Sequence, residues 1–232
     1  GARAFSAMAG ATGEPSASQL ARSGVLRDLR VQVCGFEPAA LREVNAVLRN
    51  QGATVLGETV STGPPPDYVL RAHGSRLAAD ARLHTIPQVS TQWLQESVRA
   101  GGPVDPGDAL VFRPLPYGVP LPGMTSLIMA VCGFEPDQRR RLRMLVLVLG
   151  AHTCHLDAPG CTHAVLCSAS GADYLSAVQR GLTVVGEAWL HQVALAGSLV
   201  APCLPPACAP AAEADTAAPP PAQGELASVP VY

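Results

Sequence analysis

Cys154, His155, Cys161, His163 and Cys167 form the densest run of metal-ligating side chains in the chain. Thiolate and imidazole donors are what a tetrahedral zinc site uses. Spacing argues against such a site here. Cys161, His163 and Cys167 fall on one stretch that reads as a strand, where a rise of about 3.3 Å per residue spreads them over roughly 20 Å, and one strand cannot wrap them round a shared ion with bonds near 2.3 Å. Cys203 and Cys208, in a Pro-rich stretch, lack a second pair at zinc spacing. We therefore expect neither a metal nor a cofactor.

Catalytic groups are equally sparse. No Gly-rich phosphate loop, nucleophile elbow or His-Glu-x-x-His pattern occurs, and the histidines at 73, 84, 152, 155, 163 and 191 are scattered. The expectation is a protein that is not an enzyme and takes no small-molecule substrate. All 16 basic residues are arginine, so any anion site must use guanidinium or backbone N–H groups. Four of them, Arg139, Arg140, Arg141 and Arg143, cluster, but a net charge of −2 disfavours direct DNA binding. Seven cysteines, an odd number placed mostly in predicted strands, fit a reducing compartment better than a disulfide framework.

The elements that must position these groups are announced by a repeat. Val33-Cys34-Gly35-Phe36-Glu37-Pro38 returns as Val131-Cys132-Gly133-Phe134-Glu135-Pro136, 98 residues later, and Gly52-Ala53 returns as Gly150-Ala151 at the same offset. Trp93-Leu94 and Gly101 return as Trp189-Leu190 and Gly197, 96 residues on. Three anchors in one order mean a duplicated unit of domain size.

Within repeat one, Leu29, Val31 and Val33 alternate with polar residues as a strand does, and then the period changes. Pro38 can start a helix whose Leu41, Val44, Val47 and Leu48 recur at three and four residues and which stops near Gly52. Short strands follow at 54–56 and 68–70, a short helix over 75–83, a strand at 87–89, and a last helix capped by Ser90 and carrying Trp93. Repeat two reads the same way: strand 127–132, helix 136–149, strands near 153–156 and 163–167, a helix over 172–180 capped by Ser170, strand 183–185, helix 187–196. That order predicts an α/β unit with a small, mainly parallel sheet. Both tryptophans sit on apolar helical faces and are expected in the core.

Composition sets the boundaries. Residues 1–24 and 203–232 are Ala-, Ser-, Gly- or Pro-rich without periodicity and read as disordered ends, which also suggests a piece of a longer chain. Domain one is expected over 25–112, a Pro-rich semi-rigid linker over 113–123, and domain two over 124–202. No apolar run approaches the 18 or so residues a membrane span needs, so no membrane partner is expected.

Cys34-Gly35 and Cys132-Gly133 at the end of the opening strands, Gly52-Ala53 and Gly150-Ala151 after the first helix, Tyr68-Val69-Leu70 and Thr162-His163-Ala164-Val165 in the third strand, and Trp93 and Trp189 in the last helix together resemble the BRCT domain. The likeness covers residues 27–200 and implies two tandem BRCT-like domains, each a four-stranded sheet flanked by three helices. It further implies a non-catalytic, nuclear protein-interaction module of the DNA-damage response or replication control, with a protein partner phosphorylated on Ser or Thr. Members that read phosphopeptides place a Ser or Thr before the Gly and a Lys at the start of the second helix. Here Cys34 and Cys132 hold the hydroxyl positions, and Arg76 and Asp173 the lysine positions. A further basic residue of the first helix is matched by Arg42 and Arg139. The phosphopeptide-binding candidates are thus Cys34, Gly35, Arg42 and Arg76 in repeat one and Cys132, Gly133 and Arg139 in repeat two, with repeat one favoured because Asp173 opposes a dianion. A thiol is a weak donor, so a phosphate-independent or dimerising module stays open, as does the BRCT region of a larger repair enzyme.

Overall fold

The computed structural model describes residues 24–57, 63–76 and 81–206. In the first repeat, strand β1 (Arg30–Cys34) leads into helix α1 (Pro38–Asn50), whose first turn is set by Pro38 and whose Val44 and Leu48 are buried on the sheet. Strands β2 (Thr54–Leu56), β3 (Tyr68–Arg71) and β4 (Gln88–Val89) follow, then helix α2 (Thr91–Ala100). The sheet order is β2-β1-β3-β4, all parallel, with Val31 opposite Val55 and Tyr68. Ser90 caps α2 by accepting the Trp93 amide, as expected. Of the stretch expected as a short helix, 75–83, Ser75 and Arg76 are coil and Ala81–Thr85 is a 3₁₀ turn, while 77–80 lie outside the described residues.

Repeat two is built alike. Strands β5 (Ile128–Cys132), β6 (His152–Cys154), β7 (His163–Leu166) and β8 (Thr183–Gly186) are parallel in the order β6-β5-β7-β8. Helices α3 (Pro136–Leu149), α4 (Gly171–Gln179) and α5 (Glu187–Ala196) flank them. Ser170 stands at the N-cap of α4, but its hydroxyl bonds Ser168 rather than the helix. No helix of the described residues is long and apolar enough to cross a membrane.

Each tryptophan is buried and its indole N–H is satisfied. Trp93 Nε1 donates to Val104 O at 2.8 Å and Trp189 Nε1 to Val200 O at 3.1 Å, the same eleven residues downstream in both repeats. Apolar burial runs without a break from Leu26, Val31, Leu48 and Trp93 through Phe112, Leu115, Leu121 and Met124 to Met129, Leu145 and Trp189.

The Pro-rich connector and the residues just before it carry that continuity. Val111, Phe112, Leu115 and Leu121 are buried, because apolar side chains set between prolines fill the seam between the two sheets. Ser90 donates through its amide to Phe112 O and through Oγ to Val111 O. Tyr117 Oη donates to Ala194 O at the end of α5. Residues 203–206, assigned to the tail on composition, are also seated: Cys203 O accepts from Gly186 N, and Pro206 O from Ala169 N.

Across the seam, Glu96 of α2 is 3% exposed yet charged. Its carboxylate takes two bonds from Arg99 (2.7 and 3.1 Å) and two from Arg140 of α3 (2.7 and 3.1 Å), and Arg140 also reaches Asp137 at 2.9 Å. A carboxylate this buried requires such pairing. Together with the shared core, it fixes the two sheets relative to each other.

His73 ties the connector to domain one. Its Nδ1 accepts the Leu115 amide at 3.0 Å, which leaves Nε2 to donate to Gln92 Oε1 at 3.0 Å, so the imidazole is neutral. Burial holds its pKa below the ordinary 6.5. Since the unfolded chain then binds the proton more readily, this contribution is complete above about pH 6.5 and lost as pH falls towards the lower folded value. The melting temperature should fall on acidification through that range, and less steeply in His73→Gln. Equal slopes in the two proteins would show that the neutral imidazole contributes nothing.

Candidate functional site

Parallel strands present their C-terminal ends, and the helix N-termini that follow, on one edge of each sheet, where ligands of open α/β sheets bind. In repeat one, β1 ends in Cys34 and Gly35, and β3 ends beside them in Arg71, with Cys34 level with Arg71 in the strand register. Cys34 is buried, packed with Val69 and Leu83, so its thiol is a wall of the corner rather than a protruding donor. Gly35 has φ +74°, and a Cβ there would lie 2.7 Å from Ser75 Oγ, so the loop after β3 presses directly onto it. Ser75 Oγ donates to Ala72 O at 2.7 Å, and the Arg71 guanidinium donates to Ser75 O.

Arg71 is the cation that sequence reasoning missed. It is half-buried beside Cys34, burial pulls its pKa below the usual guanidinium value, and its Nε is buried without a hydrogen-bond partner. Its signal was present, since Tyr-Val-Leu-Arg ends a strand in a charge, but strand-end arginines are commonplace. Arg76, expected at the start of a helix, is instead exposed in coil, and Arg42 lies on the exposed side of α1.

In repeat two the corresponding corner has Cys132 and Gly133 at the end of β5, with Asp173, Arg139 and Arg143 near enough to act on the Cys132 thiol electrostatically. The Cys132 thiol is pushed up by burial and then by Asp173 and Cys161, and pulled back by Arg139 and Arg143. Cys167 Sγ lies 2.8 Å from where a Cβ on Gly133 would sit, so a thiol covers that glycine as Ser75 covers the first. The four clustered arginines therefore do not make one patch. Arg140 belongs to the Glu96 pair; Arg141 reaches Asp108 Oδ2 at 3.5 Å and lies 5.7 Å over the Phe112 ring; Arg139 and Arg143 face Cys132.

A cavity of about 300 Å³ opens where Asp108–Val111 meet α3 and α5. Leu110, Val111, Leu142 and Leu145 line it together with Arg141, Glu187 and His191. Among the described residues no group of three or more His, Cys, Asp or Glu side chains is arranged to hold a metal ion.

No family model and no curated protein matches the sequence. The three-dimensional comparison is informative. The third and fourth BRCT domains of Rad4 from S. pombe superpose over 76% of this chain and 95% of their own, with a TM-score of 0.56 and 16% identity. The fold is a tandem BRCT pair. Yeast Rtt107 matches over 78% of this chain at a TM-score of 0.51 and 15% identity, and its structure with Mms22 over 81% at 0.51 and 16%. The chain spans less than half of Rtt107, 44% and 45% of those two chains.

At this strand-end corner each domain departs in its own way from the pattern that the resemblance implies. Domain one has a thiol for the hydroxyl, a strand-borne Arg71 instead of a helix-borne lysine, and Ser75 against the glycine. Domain two has its arginines on α3 and a carboxylate, Asp173, in the first turn of α4.

Proposed function

We propose that the chain is a non-catalytic protein-interaction module that docks a Ser- or Thr-phosphorylated segment of a protein partner on domain one. The observation that carries this is the Arg71 guanidinium, half-buried at the C-terminal end of β3 beside Cys34 with an unpartnered buried Nε, in a corner where Gly35 and the exposed Arg76 also stand. A desolvated guanidinium is a strong ligand for a phosphate dianion. Residues flanking the phosphorylated position would reach the cavity beside Asp108–Val111. The wider reading is a nuclear scaffold segment in the DNA-damage response or replication control, resembling a BRCT pair of the topoisomerase II-binding scaffold protein; the tandem BRCT fold supports the interaction-module part of it. Rtt107, similar in fold, is known in structures with Slx4 and with Mms22.

The test is an array of peptides in phosphorylated and unmodified form. Arg71→Gln should cut the preference for phosphate by roughly 10- to 100-fold, the worth of one charged hydrogen bond of about 1.5–3 kcal/mol. Arg76→Glu should lower it less, since that side chain is exposed. A second reading is favoured by Ser75 and Cys167, which cover Gly35 and Gly133, and by Asp173: binding that ignores phosphate. Equal binding of both peptide forms would select it.

A further inference from the structure

The loop that follows β3, residues 72–76, meets the domain-one corner on one side and the connector on the other. Towards the corner, Ala72 N donates to Cys34 O at 3.4 Å, Ser75 presses on Gly35, and Ser75 O accepts from the Arg71 guanidinium. Towards the connector, both backbone groups of Leu115 are taken. Its N–H donates to His73 Nδ1 at 3.0 Å, and its carbonyl accepts from Gly74 N at 2.9 Å. These two bonds belong to no strand pair; they close a clasp between loop and connector. Packing tightens it, since Gly74 has φ +75° and a Cβ there would lie 2.6 Å from Gly118 N and 2.8 Å from Tyr117 C. The same connector residues hold domain two. Tyr117 Oη donates to Ala194 O, and its ring lies 2.7 Å from where a Cβ on Gly197 would stand, at the C-terminal end of α5.

We propose that the clasp of His73 and Gly74 on Leu115 makes the connector a positioning element of the domain-one corner, holding Ser75, and through it the Arg71 guanidinium, in place for a phosphorylated segment. The consequence for peptide binding rests on the docking reading given above; the positioning itself does not. Ser75 is next to Gly74 and two residues from His73, so a loop released from Leu115 carries away the carbonyl that orients Arg71. A cation fixed before its ligand arrives binds it more tightly than one the ligand must order. His73 is thus a positioning residue, acting on Arg71 through Ser75. The clasp also opens in a defined way. Nδ1 accepts only while the ring is neutral, and protonation sets two N–H groups against each other. The groups facing the ring are Gln92 from α2 and the Leu115 amide from the connector, neither of which titrates, and the charges beside it in sequence are Arg71 and Arg76. Burial favours the neutral form.

The experiment compares the whole chain with His73→Phe, which lacks the acceptor, and His73→Asn, whose Oδ1 accepts where Nδ1 does but does not titrate. Hydrogen exchange on the free proteins reads the positioning. Protection of the Leu115, Gly74 and Ser75 amides should fall in His73→Phe and recover in His73→Asn. The tightest-binding array peptide, phosphorylated and unmodified, reads the consequence. Preference for the phosphorylated form should drop roughly 3- to 10-fold in His73→Phe, the worth of one ordinary hydrogen bond, and return in His73→Asn. Between about pH 7.5 and 5.5 it should fall more steeply in the parent than in His73→Asn, whose slope reports the phosphate's own titration. Unchanged Ser75 protection in His73→Phe would overturn the proposal whatever the peptides do, and so would loosened Ser75 with the phosphate preference intact. Equal acid slopes in the parent and His73→Asn overturn it even where His73→Phe does not fold. If the parent has no phosphate preference while Ser75 loosens in His73→Phe and recovers in His73→Asn, the positioning stands and the docking reading falls.

Discussion

Trp189→Arg should leave the protein without a cooperative melt of its second domain. The side chain is 1% exposed, its N–H is bonded to Val200 O, and its ring stacks 5.9 Å from His163. Replacing it removes a large aromatic, worth about 3–5 kcal/mol, and places a charge in a site with no partner at further cost. Against a typical total of about 5–15 kcal/mol the domain cannot hold. Because the apolar core continues through the connector into domain one, the damage should spread. We expect aggregation on expression or a Tm lowered by more than about 10 °C in scanning calorimetry. A variant that melts like its parent would place Trp189 outside the core.

Glu96→Ala should uncouple the two domains. Removing the buried carboxylate strands two guanidiniums, Arg99 and Arg140, that it holds from opposite sides of the seam. Both arginines are about a third exposed, so water recovers part of the loss, and a cost of about 2–4 kcal/mol is expected rather than the larger value for a fully buried pair. Urea unfolding should change from one transition to two, and a double-mutant cycle with Arg140→Ala should show strong non-additivity. Additive effects would mean that the pair contributes nothing across the interface. Acid gives an independent check. Burial pushes the Glu96 carboxyl up, but the bonds from Arg99 and Arg140 outweigh it and bring the pKa from the usual 4.5 to about 2. Its stabilisation is therefore complete above about pH 4.5 and lost as pH falls towards about 2, and Glu96→Gln should flatten that acid limb.

Most of the scaffold was legible in one dimension. The 98-residue echo, the 2-to-3.6 change of period at Pro38 and Pro136, and the two tryptophans all follow from local pattern, because strand alternation, helix phase and Ser90 capping are settled by residues a few positions apart. At the ends of the stretch expected as a helix over 75–83, Ser75 and Arg76 are coil and a 3₁₀ turn starts at Ala81, and Ser75 seats on Gly35, forty residues away, a contact that local spacing does not announce.

What only the tertiary structure decided are pairings between residues that pattern leaves equivalent. Arg139, Arg140, Arg141 and Arg143 read as one basic cluster, yet folding sends Arg140 to Glu96, 44 residues distant, Arg141 to Asp108, and the other two to Cys132. Arg71 was one strand end among several until the register set it level with Cys34. Local sequence determines where strands and helices lie because their hydrogen bonds and side-chain periods are short-range. Which charge or thiol faces which depends on sheet order and register, and those are fixed only when the whole core packs.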